Sequence, residues 1–243
     1  MAGLEIRTVQ STSLSITYTL ERKCVKNLNL RVRKNGSVYV SANEHVSAAT
    51  IDAFVLSKSN FINNAIAKFK EIEHYKPEPK QYISGESFYI QGHSLRLQVD
   101  MASRESVHSD GSYIYLRVKD PDDLQRRERL VKRFLHRECV VVFTQTLDQL
   151  YPLFAKYGVG RPTLRIRDME TRWGSCLAKK GIITLNTRLL EAPQNCIEYV
   201  VMHELCHLIH PNHSKSFYSF LAMLMPDWKE RKHMLEQTAA YWA

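Results

Sequence analysis

The residues best equipped for chemistry in this 243-residue chain are His203-Glu204-Leu205-Cys206-His207. An α-helix turns about 100° and rises ~1.5 Å per residue, so imidazoles four apart share one face about a turn apart. Two such rings can grip one divalent ion, and Glu204, next to the first, can reach water held by that ion. Ile197, Tyr199, Val200 and Val201 lead into the motif with no helix breaker among them. A catalytic zinc needs a third protein ligand and an open position. Two histidines follow, His210 and His213. His210 lies seven residues past His203, about 10.5 Å along a helix axis, so three rings on one straight helix would hardly converge on one tetrahedral ion. Pro211-Asn212 bends the chain just before His213. The favoured ligand set is therefore His203, His207 and His213 around one Zn2+ per chain, with Glu204 as catalytic base. The chemistry this predicts is amide hydrolysis. Glu204 accepts a proton as metal-bound water attacks, then passes it to the leaving amine.

These residues need elements to position them. Leu28 to Arg33 alternates apolar and polar residues, as a strand with one buried face does. Asn35-Gly36 is a hairpin turn signal, and Ser37 to Val40 is the return strand. Ser47 is placed to cap a helix carrying Ile51, Phe54, Val55, Phe61, Ile62 and Ile66. The prolines of Lys76 to Lys80 end that helix. Ser87–Ile90, Leu95–Val99 and Tyr113–Val118 read as strands, with Ser103 to Gly111 as a polar loop. Pro121 to about Tyr157 is helical. Leu164–Arg167 and Ile182–Leu185 read as strands, Trp173-Gly174-Ser175 as a turn. Helices then run over Pro193–His210, Ser214–Met225 and Pro226–Trp242. The pattern divides into a strand-rich region with one helix, 1–120, and a metal-binding catalytic domain, 121–243.

Composition narrows the setting. No window approaches the ~18 consecutive apolar residues of a membrane span. Met1 to Ser15 lacks a secretory signal pattern, so a cytoplasmic location is expected. The five cysteines form no CxxC pair and read as free thiols. The net charge is +9. Arg126, Arg129, Arg133 and Arg137 fall three and four apart, forming one basic stripe on a helix. A solvated face is the plain account of that stripe, and contact with nucleic-acid phosphates is the sharper one.

Thr171-Arg172-Trp173-Gly174-Ser175-Cys176, Leu185-Asn186, His203 to Leu208 and His210-Pro211-Asn212-His213-Ser214 together resemble the YgjP-like metal-dependent hydrolases. The resemblance is densest over 164–235. It implies an α+β, zincin-like metallopeptidase fold related to the SprT and Wss-type proteases. It carries His203, His207 and His213 over as ligands and Glu204 as base. Phe217-Tyr218 stands where that family usually has Phe-Trp, and Asn186-Thr187 where Asn-Trp is common. Both departures bear on pocket shape.

Arg172, Ser175 and Tyr218 are candidates for contacting substrate or stabilising an oxyanion. Ile182–Leu185 is expected to border the cleft and pair with an extended peptide, which favours a peptide or protein substrate. Three other readings compete. One is a DNA-associated protease docked through its basic surface, and another a non-catalytic binding module that keeps a metal. The third is a small-molecule amidohydrolase.

Overall fold

The computed structural model describes residues 4–11, 14–33, 35–74 and 79–242. The architecture is α+β, and the chain divides into two compact units, Met1–Pro77 with Ala240–Ala243, and Glu78–Ala239.

In the first unit, β1 (Leu4–Ser11), β2 (Leu14–Arg22), β3 (Asn29–Val32) and β4 (Val38–Ala42) form a sheet of order β1-β2-β4-β3. The outer pairs are antiparallel and the central β2–β4 pair is parallel. Tyr18, Leu20, Val38 and Val40 alternate onto one face. There they meet Ile51 and Val55 of α1 (Ala48–Ser57) and Ile62 of α2 (Ser59–His74). The Ser47 hydroxyl accepts from the Thr50 N–H at 3.1 Å, the expected cap. The single expected helix is two, parted at Lys58, and this leaves Phe61 exposed. Asn35-Gly36 does lie between paired strands, but in a wider connection than a two-residue turn, and only Gly36 of the two has positive φ. Asp52 accepts from Arg7 Nη2 at 2.8 Å and from the Tyr18 hydroxyl at 2.6 Å, joining α1 to the sheet.

In the second unit, β5 (Ser87–Ile90), β6 (His93–Met101), β7 (Ser106–Ser109) and β8 (Tyr113–Val118) form a sheet of order β5-β6-β8-β7. Again the outer pairs are antiparallel and the middle pair parallel. The two sheets thus share a strand order and pairing pattern although no sequence repeat is visible. β7 falls inside the stretch expected to be a loop. Its four residues pair with β8 and carry too little apolar signal for alternation to show. Leu97, Ile114 and Leu116 bury against Leu130, Val131 and Phe134 of the long helix α3 (Leu124–Leu150). A division at 120/121 would cut between β8 and the helix that covers it. The compact units part instead at the proline segment, of which residues 75–78 lie outside the described residues.

After the short helix α4 (Pro152–Ala155) comes a three-stranded sheet, β9 (Thr163–Arg167), β10 (Gly174–Leu177) and β11 (Ile182–Asn186), in the order β10-β11-β9. Gly174 opens a strand here, where sequence suggested a turn. It pairs with Leu185 across the sheet, a partner that local pattern does not reveal. β11, expected to border the cleft, is the central strand, and the edge falls to β10. The buried Ile183 and Leu185 of β11 pack beneath α5 (Gln194–Cys206). Then follow α6 (Lys215–Leu224) and α7 (Trp228–Trp242). Among the described residues no helix is long and apolar enough to cross a membrane.

Candidate metal centre and cleft

α5 places His203 and Glu204 in its last turn and ends at Cys206, with His207 as its C-cap. A tight turn follows, in which the N–H groups of Ile209 and His210 bond to the Cys206 carbonyl. The chain then reverses through Pro211-Asn212, and Ser214 caps α6. This reversal returns His213 to the other two rings. Its Nε2 lies 2.9 Å from His203 Nε2 and 3.1 Å from His207 Nε2. His210 does not join them. Its ring meets Phe220 edge-on at 5.3 Å, while its carbonyl lies 3.1 Å from His207 Nδ1.

That last contact decides a tautomer. A carbonyl only accepts, so His207 carries its proton on Nδ1 and turns a bare Nε2 toward the cluster. Burial lowers the pKa of His207, and burial with its two histidine neighbours pushes His203 down to about 3, so both rings are neutral. One proton on His213 Nε2 could bond to only one of its two neighbours. The trio is therefore left with converging lone pairs, the arrangement a cation satisfies. A tetrahedral zinc with bonds of about 2.0–2.1 Å needs its nitrogens about 3.3–3.4 Å apart. The observed separations are a few tenths of an ångström shorter, so the donor set fits such an ion. These are the one group of metal-capable side chains that converges among the described residues.

Phe217 is the floor of the trio. It is fully buried on the first turns of α6, with ring centroids 4.9, 4.7 and 4.9 Å from those of His203, His207 and His213. Sequence reading noted Phe217 only for its neighbour. The usable signal was its place one helical turn past the Ser214 cap. Tyr218 stacks on His213 at 6.1 Å and on Trp228 at 5.2 Å, which braces that ring from outside the cleft. Tyr199, which the sequence marked only as part of the helix leading into the motif, meets His203 edge-on at 5.9 Å and lines the cleft.

The cleft has a volume of ≈ 910 Å3. One wall is the run from Arg172 to Lys180, which includes β10, and the other is α5 with the histidines. Arg172 and Ser175 both line it, and Tyr218 is not among the lining residues. Glu204 is 6% exposed. Burial raises its carboxyl to about 7, against the pull of Arg172 in the other direction. The carboxylate lies hard against β10. A Cβ built on Gly174 would sit 2.7 Å from Glu204 Oε1 and 2.8 Å from its Cγ. Gly174 therefore serves close approach, since its φ is not in the left-handed region. Asn186, 3% exposed, secures the segment before β10. Its Nδ2 donates to the carbonyls of Met169 at 2.7 Å and Arg172 at 2.8 Å. Cys176 also lines the cleft, and burial with Glu204 nearby raises its thiol to about 11, so it stays protonated near neutrality.

The arginine stripe is partly structural. Arg126 Nε bonds to Glu105 Oε1 at 3.0 Å and Arg137 Nη2 to the Val107 carbonyl at 3.3 Å, tying α3 to the segment that holds β7. Arg129 and Arg133 are exposed.

A histidine trio at the end of an HExxH helix, facing an edge strand across a cleft, is the architecture of a zincin-like metallopeptidase. Residues 26–238 match the model of the YgjP-like metallopeptidase domain, and the chain belongs to that family. It is accordingly a metal-dependent hydrolase of the peptidase class. No match is found among curated proteins. Among solved structures the chain is similar to the metallopeptidase zymogen of Pyrococcus abyssi abylysin, at 26% identity and a TM-score of 0.36, covering 40% of this chain and 93% of that one.

Proposed function

We propose that this protein is a zinc peptidase that cuts extended peptide segments, with His203, His207 and His213 holding the ion and Glu204 moving the proton. The observation that carries the reading is the convergence of three imidazole nitrogens in the same cleft as a buried carboxyl. When bound, the ion supplies a Lewis acid for the substrate carbonyl and for water. Glu204 takes the proton from the attacking water and delivers it to the departing amine. A carboxyl whose affinity for protons is raised toward neutrality suits both halves of that transfer. His210 holds His207 in the ligating tautomer through its carbonyl. Phe217 and Tyr218 fix the ring planes from two sides. Ser175 and Arg172 stand in the opposite wall, where they can meet the substrate backbone or its developing negative charge.

β10 has β11 on one side only, so its outer backbone groups can pair with a peptide laid along it. This supports a peptide over a compact small amide. The deciding variant is E204Q. It is expected to keep one zinc per chain by elemental mass spectrometry and to lose at least ~100-fold in kcat on a peptide library. Full activity in zinc-loaded E204Q would exclude Glu204 as the base.

A further inference from the structure

The charges around the cleft are one-sided. Glu204, set deep in the wall, is the sole carboxylate among the lining residues, while Arg172, Lys179 and Lys180 are all basic. All three are exposed, and none has an ion-pair partner among the described residues. Their positions follow from the strand. Gly174 lies directly against the Glu204 side chain. β10 runs from there to Leu177, about 10 Å at strand rise. The 3-10 turn Ala178–Lys180 adds roughly 4–6 Å. The two lysines thus sit ~14–16 Å along the edge on one side of the reacting centre, and Arg172 sits roughly 7 Å to the other side.

A peptide paired with β10 advances at the same ~3.3 Å per residue, so these distances convert to residues of substrate. We propose that the cleft selects acidic peptides, with Asp or Glu about four to five residues from the scissile bond on the Lys179/Lys180 side and about one to three residues from it on the Arg172 side. The inference rests on the peptidase reading of this site and names its substrate class. The basic ends attract carboxylate side chains and repel lysine-rich segments, while the apolar middle, with Trp173, Leu177 and Val200, takes uncharged residues. Because the charges lie on exposed side chains, each pairing is modest and salt-sensitive.

Fluorescence anisotropy with full-length, zinc-loaded E204Q tests this, since nothing is cut during the measurement. Three labelled peptides share an apolar centre and carry Glu, Ser or Lys in both flanks. The acidic peptide is expected to bind about two- to fivefold more tightly than the serine peptide for each charge met, and ~tenfold more tightly in all. K179A/K180A should remove most of that advantage, and raising salt from about 0.05 to 0.5 M should shrink it. Equal affinities for the three peptides, or tighter binding of the lysine peptide, would overturn the inference. So would an acidic-flank preference that survives undiminished in K179A/K180A. A single-stranded oligonucleotide that displaces the acidic peptide at equal affinity would also overturn it, making the cleft a general polyanion groove. Cleavage by the wild type is read separately. Acid-selective binding without any cleavage would sink the peptidase reading alone, and cleavage indifferent to flanking charge would sink only the acidic preference.

Discussion

Replacing Gly174 with alanine adds a single methyl group at the point where the β10 backbone touches the proposed base. The new Cβ would meet Glu204 Oε1 at 2.7 Å, Cγ at 2.8 Å and Cδ at 3.0 Å. Carbon contacts are comfortable at about 3.5–4.0 Å, so the carboxylate or the strand must withdraw by roughly 0.7 Å or more. The carboxylate has little room, because the residue is 6% exposed and its inner carbons are crowded as well as its tip. Overpacking of this kind costs about 1–3 kcal/mol of stability. Displacing a reacting group by ~1 Å costs about 100-fold in rate. G174A is therefore expected to keep its zinc, because the added methyl's nearest neighbours are all atoms of Glu204 and not the ligating rings. It should melt a few degrees lower and lose about 100-fold in kcat with little change in KM. E204D, shorter by one methylene, relieves the clash, so G174A/E204D should be less impaired than the product of the two single losses. Three measurements decide the matter: zinc per chain, kcat and KM on a fluorogenic peptide, and the four-corner mutant cycle. Wild-type kcat in G174A, or strict additivity in the cycle, would refute the claim that Gly174 positions Glu204.

Two further outcomes follow from the same structure. His210 contributes a backbone carbonyl, whereas His213 contributes a ring nitrogen, so H210A should retain close to one zinc per chain and H213A should lose it. The opposite pattern in elemental analysis would move the third ligand to His210. In the first unit, Arg7 and the Tyr18 hydroxyl hold the Asp52 carboxyl below its ordinary value. A depressed pKa contributes stability that is full above the unfolded value of about 3.9 and is lost as pH falls through the folded one. D52N should thus melt earlier than wild type at pH 7, and the two melting curves should converge as pH falls through the depressed Asp52 value. A constant gap across pH would show that Asp52 acts through packing alone.

The sequence alone carried whatever depends on neighbours a few residues apart. The HExxH pair, its helix, the Ser47 cap and most strands were legible, because side-chain periods of about 3.6 and 2 are local properties of the backbone. The family was legible for a similar reason, since its motifs are short contiguous runs such as Arg172 to Cys176 and His203 to Leu208. Tertiary structure decided the rest. Pairing with Leu185 turned Gly174 from an expected bend into the first residue of an edge strand, and made β11 a central one. Strand partners are chosen across the fold, and a strand's own sequence does not say whether it lies at an edge. The floor under the histidines came from Phe217 on a helix that reverses direction. The pressing of Gly174 on Glu204 joins residues thirty positions apart. A chain states its local conformations residue by residue, but which side chains finally share a cleft is settled when its apolar faces close on one another.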